Sequence, residues 1–244
     1  MEYLEFLKNL HDECLELSKE IRFDEKNPRQ LHLIGLYGSV IELSFCVIVL
    51  INERLQIGVP CLFRSILETF VEFNNLYVEA EYGYNMEASF NKEWCKVLRE
   101  AKKNTNPYLS EYNKSDKLDS LILEHEKELK SLIDRGYHPL NIYERFKKAG
   151  MTNEYNSLYN FLSRDAHSNI SALIGRHYEV DGNNLKVTFY KDVPLENFVL
   201  YIDSIAGILI KATRMIHEFF QTRKMNEIKA LDDKLSELRY KTEK

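Results

Sequence analysis

A mainly α fold is what this 244-residue sequence predicts: a single multi-helix bundle of about eight helices with one small β-hairpin near residues 176–190. Three observations carry that expectation. Apolar residues recur at three- and four-residue intervals through most of the chain, the period of a helix with one buried face. Nine Gly and five Pro are few for this length, and no Ser/Gly-rich or Pro-rich linker divides it. Over 176–190 the period changes to two, around the strong turn signal Asp181-Gly182-Asn183-Asn184.

From the N-terminus, Leu4, Leu7, Leu10, Cys14, Leu17 and Ile21 predict an amphipathic helix over 2–23. Pro28 suits the first turn of a second helix, because its missing N–H would be unpaired there anyway. That helix runs to about Leu55 and turns nearly all-apolar after Gly35, which places it at the centre of the fold. A third helix begins after the break at Gly58 and Pro60 and reaches about Tyr82. A fourth covers 85–103, with a loop over 104–114 around Asn106-Pro107. Residues 115–134 form a strongly charged helix that stops at Gly136, a suitable left-handed position. A short helix over 139–149 closes at Gly150, and Thr152 or Asn153 can cap the helix over 155–174. Beyond the hairpin, Asp192 and Pro194 open a last long helix. The bundle domain spans 1–222, and 223–244 is a helical extension whose Ile228, Leu231, Leu235 and Leu238 form a stripe suited to self-association.

Composition narrows the function classes. A net charge of −5 argues against a broad basic surface of the kind that grips duplex DNA. Cys14, Cys46, Cys61 and Cys95 lack C-x-x-C or His-paired spacing, and three lie among apolar neighbours, so they read as reduced core thiols. The N-terminal stretch has no basic region followed by an apolar one, and Leu43–Ile51 is too short to span a bilayer. A cytoplasmic protein without membrane contact is the expectation.

The stretch 155–174 has two faces at helical spacing. Tyr155, Leu158, Tyr159, Leu162, Ala166, Ile170 and Leu173 are apolar, and the opposite stripe is Asn156, Asn160, Ser163, His167 and Ser171. Short hydrogen-bonding groups without Lys or Glu suit a half-buried network or a site, because elsewhere this chain faces water with long charged side chains. On the third helix, Arg64 and Glu68 are one turn apart within a mixed stripe. They read equally well as a surface ion pair or as a partly buried pair that aims Arg64 at another helix. The two polar stripes are expected to meet, with Arg64 or Glu68 in hydrogen-bond reach of Ser163 or His167.

No Walker loop, G-x-G-x-x-G, H-E-x-x-H or G-x-S-x-G occurs. Asp165 and His167 could join Glu68 or Glu72 on a metal, but nothing in the spacing requires it, and no metal or other cofactor is expected. Arg64 and Glu68 with Asn160, Ser163, Arg164 and His167 could instead cleave RNA without metal. A neutral His can take a proton from a ribose 2′-OH, and Arg can hold the phosphate and its developing charge. Arg-x-x-His also recurs at Arg29/His32, Arg135/His138 and Arg214/His217, so the Asn/Ser stripe is what distinguishes Arg164/His167.

RSILE at Arg64–Glu68 together with NFLSRDAH at Asn160–His167 resembles an uncharacterised, mostly prokaryotic helical domain family marked by R-S-x-x-E and S-x-x-x-H. The resemblance covers about residues 30–210. That family is in turn similar to HEPN domains, helical bundles often found as dimeric RNases in toxin–antitoxin and antiphage systems. The resemblance implies a catalytic site at Arg64, Glu68, Ser163 and His167. It also implies RNA as substrate, a homo-oligomer and a cognate regulatory protein. Asn160 and Arg164, beside that site, are expected to be binding residues. One departure stands: HEPN nucleases carry Arg-x4-6-His, and no Arg here has a His at that spacing. The alternative is a non-enzymatic ligand-binding or regulatory bundle in which the same polar stripe fixes helix register.

Overall fold

The computed structural model describes residues 2–167, 169–181, 184–191 and 193–242, the side chains of Val180 and Asp181 excepted. Helices hold 78% of the chain, and a two-stranded antiparallel hairpin is the β structure among the described residues, so the fold is mainly α. The helices are α1 (Glu2–Ser18), α2 (Pro28–Asn52), α3 (Val59–Val78), α4 (Tyr82–Lys102), α5 (Ser110–Asn113), α6 (Leu118–Asp134) and α7 (Ile142–Lys148). Then come α8 (152–166), α9 (Ile170–His177), strands β1 (Tyr178–Asp181) and β2 (Asn184–Val187), α10 (Val199–Phe219) and α11 (Met225–Thr242).

Among the described residues, eleven helices replace the expected count of about eight. A one-turn helix, α5, forms inside the expected 104–114 loop, the tail is a helix of its own, and the stretch 155–174 is two helices rather than one. His167 leaves helical geometry, and the Asn169 side chain accepts from the Ala172 N–H, which starts α9 afresh. Ile170 and Leu173, expected on the buried face, are consequently exposed. The hairpin pairs Tyr178 with Val187 and Asp181 with Asn184, as the alternation predicts. Its turn residues Gly182 and Asn183, and Asp192 before the last long helix, lie outside the described residues.

Two compact units emerge, residues 1–77 with 149–244, and residues 78–148. In the second unit, Leu98 and Ala101 of α4 pack on Leu118 and Ile122 of α6, with Trp94, Leu109 and Leu121 against them. Gly136 takes φ +93 where α6 ends, and Gly150 takes φ +71, the left-handed stops expected of them.

In the first unit α1, α2 and α10 pack on one another. Asn27 caps α2 by accepting from the Gln30 N–H, with Pro28 at the first helical position. Leu33, Tyr37, Val40, Ile41, Val47 and Ile48 make its buried face. The expectation of an all-buried central helix is corrected: Leu31, Phe45 and Val49 are exposed, because α1 and α10, the helices that pack on α2 most extensively, cover only part of its circumference. Of the cysteines, Cys14 and Cys95 are buried, Cys61 is half-buried and Cys46 lies on the outward side, so only two are core thiols. Taken whole, Pro28–Asn52 is long and apolar enough to cross a membrane by length and composition, unlike the nine-residue segment within it, although one face is packed inside the protein. The tail helix α11 folds back on α10 and α1. Ile228, Leu231, Leu235 and Leu238 are covered within the chain, so the stripe that suggested self-association is already occupied.

One hydroxyl ties the three helices. Thr213 Oγ1 on α10 donates to the Leu209 carbonyl at 2.7 Å, leaving two lone pairs. Tyr37 Oη of α2 lies 3.1 Å away and Cys14 Sγ of α1 3.2 Å away, so both must donate. Both donors hold their protons firmly. Burial pushes the Cys14 thiol up to about 12 and the Tyr37 phenol far above its ordinary value. Thr213→Val keeps the shape and strands two buried donors. Its expected cost is about 1–3 kcal/mol, read from the urea midpoint at unchanged m-value.

His217, fully buried on α10, bonds Thr222 Oγ1 through Nδ1 at 2.6 Å. Burial, then the nearby Lys224, lower its pKa below the ordinary 6.5, against weaker opposing effects of Glu20 and Glu227. The folded state therefore resists the proton that the unfolded chain accepts. Stability is expected to fall as pH drops below about 6.5, and His217→Gln to flatten that part of the profile in urea titrations at stepped pH.

Candidate functional site

The site forms where α3 meets α8. The Arg64 guanidinium, on α3, spends three of its N–H groups on three partners. Nε donates to Glu68 Oε1 at 2.9 Å, Nη2 to the Tyr159 hydroxyl at 2.9 Å, and Nη1 lies 3.1 Å from His167 Nε2. Tyr159 closes the ring by donating to the same Glu68 oxygen at 2.9 Å. Since arginine can only donate, His167 Nε2 carries the lone pair in this arrangement and the imidazole is neutral with its proton on Nδ1. The guanidinium also lies over the Tyr159 ring, 5.1 Å from its centroid.

Local sequence explains the geometry. Arg64 and Glu68 are four apart on one helix, so their pairing needs no other element. Within the α8 helix, Thr152–Glu154 is followed by a π turn, Tyr155–Tyr159. There the Ser157 hydroxyl bonds the Asn153 carbonyl at 2.7 Å and competes with the backbone, while the Tyr155 and Tyr159 rings stack at 5.3 Å. Such turns recur at functional sites because the extra residue re-aims the side chains beyond it. Asn160–Ala166 resumes α geometry, and His167 sits at its C-terminal end with its N–H on the Ser163 carbonyl at 3.1 Å. Met151, and neither Thr152 nor Asn153, occupies the cap position of α8.

Electrostatically the cluster is a partly shielded ion pair. The Arg64 side chain is 24% exposed and that of Glu68 38%. Desolvation pulls the Arg64 pKa down, but its hydrogen bonds to Tyr159 and Glu68 outweigh this and leave it raised. Burial, then the bond to Glu68, raises the Tyr159 phenol, which stays protonated at neutral pH. His167 stands at the exposed edge, open to solvent.

Arg64, Glu68 and His167 are therefore brought together as the meeting of the two polar stripes requires. The other three residues stand apart. Ser163 is half-buried and contributes its backbone rather than its hydroxyl, Asn160 is exposed, and Arg164 stacks on the Phe161 ring, 5.4 Å from its centroid. No three His, Cys, Asp or Glu side chains among the described residues converge as metal ligands. Tyr159 is the residue that sequence reasoning missed. It sits one turn before Ser163, on the border of the polar stripe, and that spacing was its only signal. Tyr159→Phe keeps the ring and removes the link between Arg64 and Glu68. A loss of about 0.5–1.5 kcal/mol in chemical denaturation is expected.

Neither the curated proteins nor the solved structures contain a match to the chain. A family model does match, over residues 30–185, which runs from the first turn of α2 to the hairpin and holds Arg64, Glu68, Tyr159 and His167 within it. With more than half of its length matched, the chain belongs to the family described as a family of unknown function, DUF5677.

Proposed function

We propose that this chain is a HEPN-like protein of prokaryotic defence or toxin type, acting on RNA as a metal-independent endoribonuclease. The observation that carries the reading is the 3.1 Å contact between Arg64 and His167, side chains 103 residues apart held at a surface-accessible point. A substrate phosphate would draw the Arg64 Nη1–H onto its own oxygen and free the His167 Nε2 lone pair. His167 then takes the proton from the ribose 2′-OH, whose oxygen attacks phosphorus as the bond to the 5′ oxygen breaks. The leaving oxygen collects a proton from solvent, and Arg64 balances charge on the phosphoryl oxygens. Glu68 and Tyr159 keep the guanidinium in place before and during the exchange.

One observation favours the second reading, a non-enzymatic ligand-binding or regulatory bundle: every partner of Arg64 in the cluster is already a protein group, as in a register-fixing network. Incubation of the purified chain with total RNA in EDTA separates the two. Under the first reading the wild type cleaves and His167→Ala loses roughly 10²–10⁴ in rate with its melting temperature kept. Arg64→Ala loses activity comparably. Wild type inert toward RNA, with a lower melting temperature in His167→Ala, supports the second. Equal cleavage by wild type and His167→Ala moves the reaction to another site.

A further inference from the structure

A cavity of about 690 Å³ opens in the first unit, one turn along α3 from Arg64, between the short helical turn Gln56–Gly58, α9, the exit of the hairpin and the start of α10. Its charge is unlike that of the protein. The chain carries a net −5, yet among the described residues Arg54, Arg176 and Lys191 line this cavity against one carboxylate, that of Asp165. Arg176 is anchored by one nitrogen, which donates to the Asp165 carbonyl at 2.7 Å. Lys191 Nζ is 4.0 Å from the Glu179 carboxylate, too far for a strong bond.

Its walls are also aromatic. Phe198 and Tyr201 form the inner side, their rings 6.0 Å apart edge to face. Burial, then Asp165, pushes the Tyr201 phenol up to about 12, so it remains a hydrogen-bond donor at neutral pH. Phe189 and Tyr190 stand at the mouth, 73% and 88% exposed. Tyr190 holds a left-handed backbone (φ +54), and so does Arg54 across the cavity (φ +57). Strained backbone that presents a large aromatic ring to water needs a return elsewhere. Gln56 exchanges two hydrogen bonds with the Val193 backbone, at 3.0 and 3.1 Å, which tie Val193 to the short helical turn.

We propose that this cavity binds a nucleotide unit, its base stacked on Phe189 and Tyr190 and its phosphate held by Arg176 and Lys191. An aliphatic ligand would bring no anion to Arg176 and Lys191, and a bare anion would leave the aromatic walls and most of the volume unfilled. The volume lies within the range of small-molecule sites. Aromatic stacking with cationic phosphate contacts is the chemistry by which proteins hold single nucleotides without reading a duplex. The unit can be a free nucleotide or one residue of an RNA strand. The inference goes beyond cleavage and does not need it.

Calorimetric titration of the full chain with the four ribonucleoside monophosphates is the test, with adenosine and inorganic phosphate as half-ligands. At least one monophosphate is expected to bind about tenfold more tightly than either half. Tyr190→Ala should weaken it by about tenfold or more, and Lys191→Gln by a similar factor. Tyr190 is already exposed, so its truncation spares the fold, and Lys191→Gln is an independent arm. A short mixed-sequence oligoribonucleotide identifies the source. If it binds at least as tightly as the monophosphate and weakens in the same variants, the unit comes from RNA. If it fails to compete, the ligand is a free nucleotide. No binding of any monophosphate or of the oligomer at roughly millimolar concentration overturns the proposal, as does affinity unchanged in either variant. Binding is read without cleavage, so an inert Arg64–His167 pair with intact nucleotide binding sinks only the ribonuclease reading.

Discussion

The arrangement of α1, α2 and α10 depends on the completed valence of a single hydroxyl. Thr213 Oγ1 has one proton and two lone pairs, and Leu209, Tyr37 and Cys14 use all three. No water is needed and no donor is left over, which matters because all these side chains are shut off from solvent. Apolar packing brings helices together without fixing how far one slides along another, whereas a three-way hydrogen bond tolerates little sliding. The register of α2 is thereby set from α10, and α3 is set from α2 in turn. Arg29, near the start of α2, donates to the Leu76 and Tyr77 carbonyls at the end of α3, at 3.1 and 2.7 Å. These are carbonyls that a helix end leaves without internal partners.

Held in this way, α3 presents Arg64 to α8 as a cation whose charge is mostly answered. Glu68 lies in the same helix and would be there whatever α8 did. Tyr159 and His167 come from the other side and give the guanidinium its direction. Replacement of Arg64 by Lys could not reproduce this, since a compact ammonium cannot address three partners along a planar fork. The partners differ in what they could give up: Glu68 and Tyr159 are bonded to each other as well as to Arg64, and His167 is bonded in the cluster to Arg64 alone. The His167 contact is thus the least supported one in the cluster and the one that faces water.

Much of this could be read in the residues. Periodicity marked the long helices, the two-residue alternation marked the hairpin, and glycines 136 and 150 marked their stops. Arg64, Glu68 and His167 were visible because short polar groups broke an otherwise apolar stripe. Other features left a weaker imprint. The break after Ala166 was hidden because Ala166, Ile170 and Leu173 keep helical spacing straight across it, although Asn169 is a good cap. The outward apolar side of α2 was hidden because a hydrophobic pattern tells which residues avoid water, not how many neighbours are present to cover them. The cavity beside α9 left no local mark at all, since its walls come from segments far apart in sequence and only the fold assembles them.

The π turn in α8 makes the site sensitive to chain length in a way that side-chain chemistry is not. Five residues there occupy a wider loop of backbone than an α turn would. Each residue of an α-helix advances about 100° around its axis, so one residue more or fewer before Asn160 swings every later position by that amount. His167 would then face away from Arg64 although no residue of the cluster had changed. The helix behaves as a dial with one extra notch: its setting is a count of peptide units, and a family lineage could unmake or restore the contact by a single codon gained or lost between Tyr155 and Tyr159.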